Sequence, residues 1–272
     1  MGLAGTAVIG ALAGFTVFLG LPIARLRRLS PAQQGFLNAI AAGILIFLLV
    51  EILGHANETV EGTLPSLRRG QPAGFASLAG IYVLGIAGGL LGLVRLTQAM
   101  SRRLERDEAE TRVSPAHPVG VSPSRTLALM IAAGLGLHNL SEGLAIGQSV
   151  ATGALSLTGV LAIGFGLHNI TEGFGVAAPM ASDAPPSWGF IGGLGLVAGG
   201  PTLVGTLIGR EVIATWAFVL FLTLAAGALI YVINEMIAVC RRLNQPIPLA
   251  GGLVLGFLLA FGTELVLSAA GA

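Results

Sequence analysis

Eight long apolar runs, each bounded by a short polar or Gly/Pro-rich break, set the pattern of the chain. They cover roughly residues 4–24, 33–54, 72–98, 125–147, 154–179, 187–209, 212–239 and 247–270. A bilayer core takes about 20 apolar residues in a helix, so each run is long enough to cross it. The runs are continuous instead of alternating in ten-residue pieces, which argues for helices over a barrel. The pattern predicts an all-α polytopic membrane protein with eight transmembrane helices, forming a single transmembrane domain over residues 1–272.

The breaks order these spans. The charged, Pro- and Ser-rich stretch from Ser101 to Thr126 predicts an inner loop over residues 101–124, dividing three spans from five. A second break, His55 to Gly74, is expected on the other side. Only a few residues near "SVATGALS" join the fourth and fifth spans, so these two must run antiparallel as neighbours.

Composition agrees with the pattern. Hydrophobic residues make up 54% of the chain and charged ones 10%, with a mean hydropathy of +0.87, far from the usual soluble domain. The 41 glycines suit close helix packing in lipid. All fourteen basic residues are arginines. Counting alternate loops, eleven fall on one side and only Arg68, Arg69 and Arg210 on the other, which predicts both termini outside. No basic patch interleaved with aromatics suggests nucleic acid. Cys240 is alone and cannot form an internal disulfide. Compactness suggests a prokaryotic plasma membrane, with the lipid bilayer as partner and a homodimer as one assembly the chain could form.

Two of the spans carry the same polar cluster, "HNLSEG" and "HNITEG". On a helix His138 and Glu142 are four residues apart, about 6 Å along the axis and on one face. Asn139 lies beside them, and His168, Asn169 and Glu172 repeat the arrangement on the fifth span. Antiparallel neighbours would bring the clusters together near mid-membrane about an approximate two-fold axis, as inverted-repeat transporters arrange their sites. A charged acid at the bilayer centre costs about 2.5–3.5 kcal/mol, and neither span offers a cation to offset two of them. A divalent ion does so, and mixed nitrogen and oxygen ligands suit Zn²⁺, Fe²⁺ or Mn²⁺. One such motif could be a packing hydrogen bond; its duplication at equivalent places favours a metal. Ser141 and Thr171 can bond back to the preceding turn and bend each helix.

With these motifs at this topology, the chain resembles the ZIP (Zrt/Irt-like) family of divalent-metal transporters. The second span, "FLNAIAAGILIFLLVEILGH", and the seventh, "AAGALIYVINEMI", are also similar to their family counterparts. The resemblance implies an inverted-repeat ZIP-like bundle and uptake of Zn²⁺, often also Fe²⁺, Mn²⁺ or Cd²⁺, toward the cytosol. It also implies a metal-binding set of His138, Asn139, Glu142, His168, Asn169 and Glu172. Spans one, four, five and six would move as a unit against spans two, three, seven and eight. The chain departs from the family in three places. Ser141 and Thr171 stand where proline often precedes the motif glutamate. Gly200 precedes Pro201 on the sixth span, where a glutamate commonly completes a second metal position. The inner loop, often rich in histidine, has only His117.

Other polar positions are weaker candidates. Glu51 and His55 could concentrate cations at the outer mouth, although a solvated loop accounts for them too. Asn234 and Glu235 could line the path or bridge helices. A metal-dependent membrane enzyme is the main rival reading, but the His-x-x-x-Glu spacing, on two helices only, comes with no substrate-orienting motif. The expectation is therefore a transporter and not an enzyme, with the metal as cargo and no organic cofactor. A channel with fixed ligand rings is the second rival.

Overall fold

A computed structural model describes residues 1–25, 30–113, 122–181, 184–211 and 214–269, without the side chains of residues 100, 101, 103–113, 123, 168 and 267. Among the described residues there is no strand, and eight helices are long and apolar enough to cross a membrane. The first crossing is α1 (Leu3–Phe15), a break at Thr16, the short α2 (Val17–Gly20) and a 3₁₀ turn, Leu21–Arg25. The second is α3 (Pro31–Glu61), trailed by the short α4 (Leu64–Arg68). Then follow α5 (Ala73–Val113), α6 (Pro123–Ala151), α7 (Leu155–Ala177), α8 (Trp188–Glu211), α9 (Thr215–Arg242) and α10 (Pro246–Ala269).

Local sequence explains the helix ends. Ser30 caps α3 through its Oγ, which accepts from the Gln33 amide at 3.3 Å, while Gln33 Oε1 accepts from the Ser30 amide at 2.8 Å. Pro31 fits the first helical position, where no amide hydrogen is needed. The same Ser-Pro pair opens α6, where Ser122 Oγ accepts from the Arg125 amide. Between α6 and α7 the chain reverses in three residues, and Gly153 takes φ +76°, a left-handed conformation that glycine adopts without strain.

Two helices run further than the apolar pattern indicates. α3 continues to Glu61, with Thr59 Oγ1 donating to the His55 carbonyl at 2.8 Å, so Glu51 and His55 stand on a continuous helix and not in a loop. α5 continues to Val113 through half of the stretch expected as inner loop. There Arg103 and Asp107, Arg106 and Glu110, and Glu108 and Arg112 are spaced four apart, an arrangement of opposite charges that supports helix beyond the apolar run. His117, Arg27, Arg28 and Asp183 lie outside the described residues.

The glycines divide the helices into two bodies. At Gly14, Gly20, Gly136, Gly143, Gly147, Gly173, Gly199, Gly205 and Gly209 a Cβ would strike the backbone of a neighbouring helix, and each neighbour belongs to α1, α2, α6, α7 or α8. Gly43, Gly89, Gly227, Gly252 and Gly256 do the same among α3, α5, α9 and α10. Without a hydrophobic drive between helices in lipid, such seats supply the close contact that holds helices together. The two bodies meet where α6 faces α9 and where α7 faces α3 and α10. Glycines at this seam touch side chains only: a Cβ on Gly134 would lie 3.1 Å from Val232 Cγ2, and one on Gly175 would lie 3.3 Å from Ala41 Cβ. Each body is locked by backbone contact, while between the bodies these two glycines meet only apolar side chains.

α6 sits at the centre. Of its most apolar stretch 72% is buried, against 17% for the third and eighth crossings, whose residues such as Val83, Leu84 and Val266 face outward. At one end of the first body, Arg25 donates to the Pro186 carbonyl at 2.6 Å and lies 4.8 Å from the Trp188 ring centroid, fixing the approach to α8.

Candidate metal site

Half-way along α6, one turn of helix presents His138 and Glu142 on the face toward α7. His138 Nε2 lies 3.2 Å from Glu142 Oε1 and 3.7 Å from Glu172 Oε1 on α7. All three side chains are buried, with Glu172 only 1% exposed. Their ligating atoms all fall within 4.8 Å of one another. Two ligands about 2.1 Å from a tetrahedral ion stand ~3.4 Å apart, and the two distances measured from the imidazole lie on either side of that value. Two carboxylates converging in a buried volume repel each other unless a positive charge comes between them.

Asn139 acts on this group differently from the sequence reading, in which it offers an amide oxygen to the shared volume. Its Nδ2 donates to Glu172 Oε2 at 2.9 Å and to the Ala198 carbonyl at 3.1 Å, tying α6, α7 and α8 together. Its Oδ1 is buried without a hydrogen-bond partner. Asn169 does not join the cluster as its counterpart would: its Nδ2 donates to the Ala13 carbonyl at 3.0 Å. The carbonyl lies beside the break in the first crossing at Thr16, whose hydroxyl also donates to it at 2.7 Å. The two asparagines are therefore alike in sequence and unlike in use. Among the described side chains, α6 contributes an imidazole and a carboxylate, and α7 contributes a carboxylate and a brace to α1. The side chain of His168 lies outside the described residues.

The back-bond expected from Ser141 is present, its Oγ donating to the His138 carbonyl at 2.6 Å. α8 brings backbone in place of an acid. Pro201 has no amide hydrogen, so the Val197 carbonyl one turn earlier loses its helical partner, and Gly136 of α6 packs directly against it. Gly200 faces open space, with no atom within 4 Å of where a Cβ would be.

A cavity of about 180 Å³ adjoins the cluster. His138, Ser141 and Glu142 line it from the first body, and Glu51 and His55 line it from α3 of the second. Its other walls are apolar, including Phe165 and Phe218. Glu142 keeps Oε2 buried without a hydrogen-bond partner. Glu51 lies within electrostatic reach of Glu264, His138 and Glu142. Asn234 is exposed and Glu235 half-buried on α9, and neither lines this cavity. What the sequence reading missed is the nearness of Glu51 and His55 to the doubled motif. Their four-residue spacing on the buried second span was the available signal.

No curated protein matches the chain. Residues 96–268 match the protein-family model described as ZIP zinc transporter, a stretch that holds all six motif residues but not Glu51 or His55. With that match over more than half of its length, eight membrane-length helices and a buried His/Glu/Glu cluster, the chain belongs to the ZIP family of divalent-metal transporters.

Proposed function

We propose that this chain carries divalent transition-metal ions toward the cytosol, Zn²⁺ foremost with Fe²⁺, Mn²⁺ or Cd²⁺ as further cargo, by alternating access about His138, Glu142 and Glu172. The observation that carries the reading is the ligand spacing, 3.2 and 3.7 Å about His138 Nε2 in a site buried between two membrane-spanning helices. Three protein ligands leave the fourth position of a tetrahedral ion open, which suits cargo that must enter and leave. Asn139 orients Glu172. The proposed set also includes Asn139, Asn169 and His168 by their place in the doubled motif, outside the three ligands that hold the ion.

The site binds one ion tightly. α8 offers Gly200 and no carboxylate at the place where a second ion would need one. Every residue of the proposed set rides on α6 or α7, within the body that also contains α1, α2 and α8, and the lack of backbone contact at Gly134 and Gly175 supports movement of that body past the other. The arginine bias supports termini outside, and membership of the family supports cargo moving inward.

Zn²⁺ uptake into proteoliposomes tests the reading. Glu142→Ala and Glu172→Ala are expected to abolish saturable uptake while the purified proteins stay monodisperse. Unchanged uptake would remove these carboxylates from the mechanism, and flux proportional to concentration would replace the carrier with a pore.

A further inference from the structure

The cavity beside the cluster has chemistry on both of its sides. Glu51 and His55 are four residues apart on α3, so their side chains share a face about 6 Å apart along the axis. They line the same 180 Å³ cavity as His138 and Glu142, from the opposite body. A single water needs only ~10–15 Å³ of such space, so an ion with several waters fits. Among the described residues that line the cavity, these four are the titratable ones, and the rest of the wall is largely apolar. Burial is graded along the path: His55 is exposed, Glu51 half-buried, and His138 and Glu142 buried. At the inner end Glu142 Oε2, buried and without a hydrogen-bond partner, completes the line of acceptors. A solvated helix end explains the exposure of His55, but it does not require Glu51 to face an enclosed space shared with the cluster.

We propose that Glu51 and His55 form a second, weaker divalent-cation position, a loading site on the second body from which the ion passes to His138, Glu142 and Glu172. The inference rests on the transport reading above and adds to it a ligand pair that does not travel with the cargo. An incoming hydrated ion exchanges waters for the Glu51 carboxylate and the His55 imidazole nitrogen. It then exchanges those two ligands for His138 Nε2, Glu142 and Glu172. The released waters and any displaced protons leave through the same opening, and no electron is transferred. Weakness is required of this position, because a ligand held on the other body must let go before the first body can move.

The test uses the full chain and Zn²⁺ alone, read by titration calorimetry in detergent and by initial uptake rates in proteoliposomes. The parent is expected to show one tight and one weak binding event. The double variant Glu51→Gln/His55→Gln should lose only the weak event and raise KM about tenfold, the low end of the gain that field focusing in a charged cleft gives, with the maximal rate within about twofold. Glu142→Gln should lose the tight event and keep the weak one. A double variant with both events and the parent KM overturns the loading site and leaves the transport reading intact. Parent-like uptake by Glu142→Gln overturns the transport reading instead. Should the double variant also lose the tight event, His55→Gln alone, changed at an exposed position, decides by the same two readouts.

Discussion

Asn139 of α6 holds Glu172 of α7 by a 2.9 Å hydrogen bond from its amide nitrogen, and the same nitrogen reaches the Ala198 carbonyl of α8 at 3.1 Å. One side chain thus sets the position of a proposed metal ligand and fastens three helices. Asn139→Ala is expected to weaken Zn²⁺ binding about 10–100-fold, the range found for partners that orient ligands. Calorimetry on the purified protein measures it, and unchanged affinity would reduce Asn139 to a packing residue.

Metal should stabilise the fold through these same ligands. An ion at a hundred times its Kd adds about 2.7 kcal/mol to a protein that binds it only when folded. Thermal unfolding with and without Zn²⁺ should show that gain in the parent and none in Glu142→Gln or Glu172→Gln. Without metal, either variant should melt at or above the parent temperature, because one of two crowded buried acids has been neutralised. Equal Zn²⁺ shifts in all three proteins would place the ion elsewhere.

The glycine seats and the seam make opposite forecasts for one added methyl group. Gly256→Ala would drive a Cβ into the Ile40 backbone, and Gly143→Ala would drive one into Thr202. Both should cost about 1–3 kcal/mol or more and lower the yield of folded protein on size exclusion. Gly175→Ala and Gly134→Ala meet only side chains at 3.3 and 3.1 Å across the seam. They should fold and bind Zn²⁺ normally but transport more slowly, with the loss in maximal rate and not in KM. Normal rates in both seam variants would argue against sliding there.

A single tight ion follows from the glycine on α8. Gly200→Glu, at a position with open space around the new side chain, should raise the number of tightly bound Zn²⁺ ions from one to two. Anomalous scattering or calorimetry counts them. Two tight ions in the parent would refute the one-ion site.

The eight crossings are legible in the sequence because lipid demands length and continuity of apolar residues, and nothing shorter satisfies the backbone. The antiparallel pairing of α6 and α7 is legible from a turn too short for any other arrangement. The His138, Glu142 and Glu172 grouping is legible because helical spacing and helix direction suffice to derive it. The separate fates of Asn139 and Asn169 are not. They depend on which neighbouring carbonyl each amide reaches, that of Ala13 beside the break in the first crossing and that of Ala198 on a different helix altogether. The helical extension of α5 to Val113 escapes a search for apolar runs because alternating charges support it. The position of Glu51 across the cavity depends on how α3 is turned against α6, which is set by packing between bodies and not by either helix alone.

The location of both acids on one body has an electrical consequence. A divalent ion between Glu142 and Glu172 leaves a site of no net charge, so the inward stroke proposed above is indifferent to membrane voltage. The emptied site returns either as a dianion or with protons aboard. In a cell negative inside, the field favours outward return of a dianion by about 2.3 kcal/mol per charge for each 100 mV of a full traverse, whereas a protonated return feels no field and exchanges metal for protons. Whether uptake accelerates with an imposed potential therefore reports what the two carboxylates carry home.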